Sequence, residues 1–329
     1  MSSIASPVGE TKGKRVILLT PRGFCAGVVR AIDVVKIALE IYKPPIYVRK
    51  EIVHNRHVVG ELQRAGAVFV EELREVPPGA RVIFSAHGVS PAIRREAIQR
   101  NLRVIDATCP LVTKVHLEAI KFAREGNTVL LIGHAEHDEV VGTMGEAPDA
   151  TIVVSTEEEA GRVQVPDPER VCYLTQTTLS LDETSGIVAR LKVRFPKIQG
   201  PPAQDICYAT ENRQLAVKAV AGLCQLLLVV GSQNSSNSRR MVEVCRNQGT
   251  PAYLVDDEHE VNPEWMRGVQ TVVVTAGASA PEILVDRLVQ SLARNGFDQV
   301  EEVEIKEEDV RFSLPAELQA PAQLHQIAL

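Results

Sequence analysis

The chain has 329 residues, 45% hydrophobic and 24% charged, a balance ordinary for a globular protein with room for two or three domains. A formal charge of −6 with no basic run argues against a general nucleic-acid binder. Apolar stretches such as Leu226–Val230 are strand-sized, far short of the ~20 residues of a membrane span.

Residues Met1 to Lys14 carry neither the apolar core of a secretory signal nor an Arg-rich organelle address, and residues 1–13 read as a flexible tail. Six dispersed cysteines with no Cys-x-x-Cys pair are not a disulfide scaffold and fit a reducing compartment, so a cytoplasmic location is expected. Beyond the tail, short β-branched runs alternate with helix-period segments. Val16–Leu19, Val82–Phe84, Val129–Ile132, Leu226–Val230 and Val272–Val274 are examples. This alternation predicts parallel βαβ units with sheets buried on both faces. From about Glu307 no clear periodicity is visible.

A threefold repeat appears when three cysteine segments are laid over one another. They are Arg15-Val-Ile-Leu-Leu-Thr…Cys25, Arg103-Val-Ile-Asp-Ala-Thr-Cys109 and Gln204-Asp-Ile-Cys207, each read as strand, cysteine, helix. A second polar loop follows 24 residues after Cys109 and after Cys207, at Gly133 and Gly231; after Cys25 it leads into His54. A third loop lies 60, 66 and 68 residues beyond the cysteines, at Ser85, Thr175 and Thr275. Three similar α/β domains with parallel sheets are therefore expected, 27–109, 110–203 and 204–305, followed by a C-terminal segment, 306–329. Ligands in such sheets sit in strand-to-helix loops, so three domains around one axis would point nine loops at one central cavity.

A lone cysteine is usually a small buried hydrophobe, which suits Cys172 in a strand and Cys224 and Cys245 on helix-period segments. Cys25, Cys109 and Cys207 differ. Each stands at a helix N-terminus, where unpaired N–H groups and the helix dipole favour a thiolate, and Pro110 is a first-turn residue. These three are candidate metal ligands. Thiolates select zinc or an iron–sulfur cluster; the lack of closely spaced pairs favours the cluster, with zinc left open.

The histidines crowd into loops: His54, His87, and His134 with His137. His57, His116, His259 and His325 read as structural or surface residues. Gly231-Ser-Gln-Asn-Ser-Ser-Asn-Ser, with Ser235, Ser236 and Asn237, offers more donors than one helix cap needs and suits phosphate oxygens. Thr177, Thr178 and Ser279 would add donors. No Walker A or Gly-x-Gly-x-x-Gly fingerprint is present. Glu139 is either a solvated loop carboxylate or, desolvated among these donors, a proton-holding general acid.

Together and in order, these motifs resemble one family, the LytB-type 4-hydroxy-3-methylbut-2-enyl diphosphate reductases of the non-mevalonate isoprenoid route. The resemblance runs from about Arg15 to Val303 through Pro21-Arg-Gly-Phe-Cys25, Val53-His54-Asn, Phe84-Ser-Ala-His87 and Asp106-Ala-Thr-Cys109-Pro. It continues through Gly133-His-Ala-Glu-His137, Thr175-Gln-Thr-Thr, Asp205-Ile-Cys207-Tyr, the serine-rich loop and Thr275-Ala-Gly-Ala-Ser279. It implies a pseudo-threefold cloverleaf around a [4Fe-4S] cluster on Cys25, Cys109 and Cys207, with one iron open to substrate. His54, His87, His137, Ser235, Ser236, Asn237 and Ser279 would bind a diphosphate, Glu139 would supply protons, and Thr177 would assist the substrate hydroxyl. The resemblance also places residues 14–26 with the third domain. The implied reaction removes an allylic hydroxyl to give isopentenyl and dimethylallyl diphosphate, with electrons from a partner such as flavodoxin or ferredoxin. Two alternatives remain at this point: a redox-neutral, metal- or cluster-dependent lyase or hydrolase acting on a small diphosphate, and a non-catalytic anion-binding or metal-sensing protein.

Overall fold

The computed structural model describes residues 13–325, so the expected tail lies, up to residue 12, outside the described residues. The chain begins with strand β1 (Lys14–Thr20) and helix α1 (Ala26–Tyr42), then β2 (Ile46–Arg49), α2 (Arg56–Arg64), β3 (Ala67–Val70) and β4 (Arg81–Phe84). It continues with α3 (Pro91–Gln99), β5 (Arg103–Asp106), α4 (Pro110–Arg124), β6 (Thr128–Ile132), α5 (Asp138–Glu146) and β7 (Thr151–Val154). Next come α6 (Glu157–Arg162), β8 (Val171–Thr175), α7 (Leu181–Arg194), α8 (Tyr208–Val220), β9 (Leu226–Val230) and α9 (Ser236–Asn247). The last elements are β10 (Ala252–Val255), β11 (Thr271–Ala276), α10 (Glu282–Arg294), β12 (Phe297–Glu304) and α11 (Ala316–Leu324).

The strands form three parallel sheets, in the orders β3-β2-β4-β5, β7-β6-β8 and β10-β9-β11-β1-β12. The first strand belongs to the last sheet, where Val16 pairs with Val272 on one side and Val300 on the other. The continuous apolar run of β9 follows from helices on both faces. Leu226, Leu228 and Val230 pack with Leu284 and Leu288 of α10, whereas Leu227 and Val229 pack with Val217 of α8 and Met241 of α9. The period of two along the strand thus feeds two separate cores. β12 is a sheet edge, exposed beyond Phe297 and rich in Glu, which discourages further strand pairing.

Three sequence expectations are corrected. Gln204–Ile206 is not a strand: an isolated bridge, Cys172 to Gln199, lies upstream of it, and Cys207 then caps α8. Asp205 instead uses its side chain to accept from the Thr175 backbone N–H, doing with a carboxylate what a strand would do with a carbonyl. Cys224 stands in extended backbone between a short 3-10 turn and β9, not on a helix. The C-terminal segment is also structured. Leu318 and Ala322 of α11 are fully buried in the core around α1, a burial worth ~1.5–3 kcal/mol for a leucine. The segment is pinned by the buried Arg213, which donates to both carboxylate oxygens of Glu308, and by Arg30, which donates to the Ser313 carbonyl. Among the described residues, no helix is long and apolar enough to cross a membrane.

Candidate active site

Nine loops at the starts of nine helices supply one cavity of about 120 Å³. Cys25, Cys109 and Cys207 are the N-cap residues of α1, α4 and α8, and all three line it. N–H groups of Leu111 and Val112 reach Cys109, and the Cys207 thiol donates to the Thr210 hydroxyl at 3.2 Å. Burial pushes Cys109 up to about 12 and Cys207 up to about 11, with further upward pushes from Cys25 on both. Burial raises Cys172, Cys224 and Cys245 to the same range, so what sets Cys109 and Cys207 apart is their place at helix N-termini around one cavity with Cys25.

The wall bearing β2, β4 and α5 carries imidazoles. His54 and His87 stack with ring centroids 4.0 Å apart, and His137 meets them edge-on at 5.5 and 5.9 Å. Nδ1 of His137 accepts from the Glu139 N–H at 3.2 Å as the cap of α5, so its neutral form carries the proton on Nε2. Burial holds His87 well below the ordinary histidine range and His137 down at about 3, with His54 lowering both. An anion in the cavity would oppose this lowering of His87 and His137, because its charge favours the protonated, donating ring.

The opposite wall is the start of α9. Ser235 caps it, accepting from the Ser238 N–H. Ser236 donates to the Thr178 carbonyl and Ser279 to the His54 carbonyl, so these hydroxyls also stitch neighbouring domains together. Asn237 is 4% exposed, yet its Oδ1 has no partner and its Nδ2 reaches only the Met241 sulfur at 4.0 Å. A buried amide oxygen without a protein partner calls for a ligand or an ordered water.

Glu139, in the first turn of α5, is 3% exposed. Its Oε1 accepts from the Thr177 N–H at 2.7 Å and its Oε2 from the Thr177 hydroxyl at 3.0 Å. Burial outweighs these two bonds and raises its pKa to about 7. Of the two sequence readings, the desolvated carboxyl is the one the fold builds.

Every candidate site residue, namely Cys25, His54, His87, Cys109, His137, Glu139, Thr177, Cys207, Ser235, Ser236, Asn237 and Ser279, lines this cavity. His134 turns away to Arg240, and His116 is buried against Glu146. Three lining residues were not legible as such. Gly27 faces Cys109: a Cβ there would stand 2.8 Å from the sulfur. The Tyr208 hydroxyl accepts from the Ala26 N–H at 3.1 Å, tying two cysteine loops together, and its place beside Cys207 was the available signal. Phe312 comes from the C-terminal segment and had no signal at all.

The LytB protein family matches residues 16–293. The chain belongs to the LytB family. Within that family it is similar to the curated 4-hydroxy-3-methylbut-2-enyl diphosphate reductase of Acidothermus cellulolyticus, 58% identical over 306 residues, 93% of this chain and 90% of that one. It is also similar to reductase 2 of Mycobacterium tuberculosis H37Rv, 57% identical over 94% of this chain and 92% of that one. Among solved structures, the E-1-hydroxy-2-methyl-but-2-enyl-4-diphosphate reductase of Plasmodium falciparum superposes with a TM-score of 0.92 at 39% identity, covering 95% of this chain and 99% of that one. The three-domain α/β architecture is thus that of LytB-family reductases.

Proposed function

We propose that this LytB-family chain is an oxidoreductase that removes the allylic hydroxyl of 4-hydroxy-3-methylbut-2-enyl diphosphate. Two electrons and two protons enter, the carbon–oxygen bond breaks, and water leaves with isopentenyl or dimethylallyl diphosphate. The observation that carries this reading is the meeting, in one cavity, of three helix-capping thiols, a buried carboxyl whose pKa burial raises to about 7, and a wall of hydroxyl, amide and imidazole groups.

Cys25, Cys109 and Cys207 would hold a [4Fe-4S] cluster, and the donor set fits one. Cys25 and Cys207 lie close enough to push the Cys109 thiol up, and Cys25 close enough to push Cys207 up. Yet they are not among the sets of ligand atoms within 4.8 Å of one another. A single zinc with ~2.3 Å bonds to sulfur would draw three sulfurs to about 3.8 Å. When bound, such a cluster supplies electrons and, at the iron without a protein sulfur, a Lewis-acidic place for the substrate oxygen. Electrons would reach it from a small redox protein of the flavodoxin or ferredoxin class.

The other residues bind, orient and move protons. His54, His87 and His137 take the diphosphate from one side, and Ser235, Ser236, Asn237 and the N-terminus of α9 take it from the other, with Ser279 closing between them. The hydroxyl end is thereby held toward the thiols. Glu139 Oε2 and Thr177 Oγ1 are 3.0 Å apart; with Glu139 protonated this bond would reverse, Oε2–H donating to Thr177 Oγ1 as the threonine hydroxyl gives its own proton to the departing oxygen. The second proton ends on carbon by way of the diphosphate, and an allylic system accepts it at either of two carbons, giving two products.

The test is turnover by anaerobically purified protein given a low-potential reductant. Both diphosphate products are expected, and their absence from reduced, iron-loaded protein would refute the assignment.

A further inference from the structure

His54 and His87 have a neighbour that an anion site does not explain. Asp138, the first residue of α5, places a carboxylate oxygen within 4.8 Å of the ligand nitrogens of both imidazoles. The helix dipole accounts for an acid at this position, but not for a negative charge set against two rings that are to receive a diphosphate. Lys50, close enough to feel the Asp138 charge, is bonded to Glu71 at 2.5 Å.

The surroundings of both rings are those of metal-bound histidines. Nδ1 of His54 lies 3.2 Å from Glu51 Oε2, and Glu51 is itself held by Asn234 Nδ2 at 2.8 Å. Nδ1 of His87 lies 3.3 Å from the Ser85 hydroxyl. With Nδ1 engaged by an oxygen in each case, Nε2 is the nitrogen left to meet a ligand, and a carboxylate behind a ligating imidazole raises its basicity. Burial keeps His87 neutral, which is the state that binds metal. Two imidazoles and one carboxylate select a first-row transition dication over magnesium or calcium. Tetrahedral bonds of ~2.0–2.2 Å would require the three ligand atoms to draw in by at most about 1.4 Å.

We propose that His54, His87 and Asp138 form a second metal site, separate from the three thiols, that takes a dication of the zinc class and shuts the diphosphate out when filled. A nitrogen bonded to metal has no proton to donate to a phosphate oxygen, so the two ligands exclude each other. The exclusion rests on the diphosphate reading above; the metal site does not.

The experiment uses anaerobically purified holoprotein with its iron retained, equilibrated with buffered free Zn2+ and then analysed for metal. About one zinc per chain is expected in addition to the iron, as three ligands define one site. Glu51→Gln should weaken zinc binding about 10- to 100-fold. Asp138→Asn should abolish it while keeping zinc-free turnover. Zinc should raise KM and leave kcat unchanged in the parent chain. Zinc uptake that displaces iron, or uptake undiminished in Asp138→Asn, would overturn the site. Zinc bound as expected but lowering kcat at constant KM would overturn the exclusion alone.

Discussion

The Thr177 backbone N–H and hydroxyl both reach the Glu139 carboxyl, at 2.7 Å and 3.0 Å, inside a cavity that leaves the acid 3% exposed. One threonine thus fixes the orientation of a buried acid and offers it a path for its proton. Glu139→Gln keeps the shape and removes that proton. Turnover should fall about 10²–10⁴-fold with iron content unchanged. Full turnover in this variant would show that the proton comes from elsewhere.

The pH dependence follows from the same pair. Burial raises Glu139 from its ordinary 4.5 to about 7, so the folded protein holds this proton in a range where the unfolded chain has lost it. The native state binds more protons between those values, and its stability contribution declines as pH rises from 4.5 to about 7. A donor must be protonated, so kcat should decline as pH rises through about 7. The decline should be absent from the residual activity of Glu139→Gln. An unchanged pH profile in that variant would contradict the assignment.

Gly27→Ala separates fold from cofactor. In a helix, Ala is favoured over Gly by up to ~1 kcal/mol, so the metal-free chain should unfold no earlier than the parent. The new methyl would nevertheless stand 2.8 Å from Cys109 Sγ and displace a proposed ligand. Iron per chain should drop, as measured after anaerobic purification. Retention of full iron would mean that the sulfur has room to yield.

The C-terminal segment yields a prediction about protection. Phe312 lines the thiol cavity, and the buried Arg213 holds the segment through Glu308. Glu308→Ala leaves that guanidinium without its carboxylate and should cost about 3 kcal/mol in urea unfolding. Phe312→Ala should leave anaerobic turnover near the parent value while the visible absorption bleaches faster in air. Equal bleaching rates would remove any shielding role from Phe312.

Much of the fold and site was legible because the repeat places chemistry at strand ends. The runs at Val82, Val129 and Leu226 became strands, since short apolar runs between amphipathic helices fit a sheet buried on both faces. Cys25, Cys109 and Cys207 were separable from Cys172 and Cys245 by their N-cap positions, a local signal. What escaped depends on long-range packing. Gln204–Ile206 looked like a strand by analogy with its counterparts, but Asp205 satisfies the neighbouring backbone through its side chain. Residues after Glu307 showed no period because their anchors, Glu308 to Arg213 and Asn212 and Ser313 to Arg30, are isolated points bonded to distant partners. Asp138 hid for a similar reason: beside Glu139 it reads as an ordinary acid of a helix's first turn, and only the folded chain turns it toward His54 and His87.

The central claim is that three thiols hold four irons, leaving one iron for substrate. Mössbauer spectroscopy of anaerobically purified, 57Fe-enriched protein tests it directly, alongside iron and sulfide analysis and the variants Cys25→Ser, Cys109→Ser and Cys207→Ser. The expected result is about four irons and four sulfides per chain, with three irons alike and the fourth distinct and changed by substrate, and loss of this pattern in each variant. A colourless protein carrying zinc at the thiols, or four equivalent irons indifferent to substrate, would contradict it.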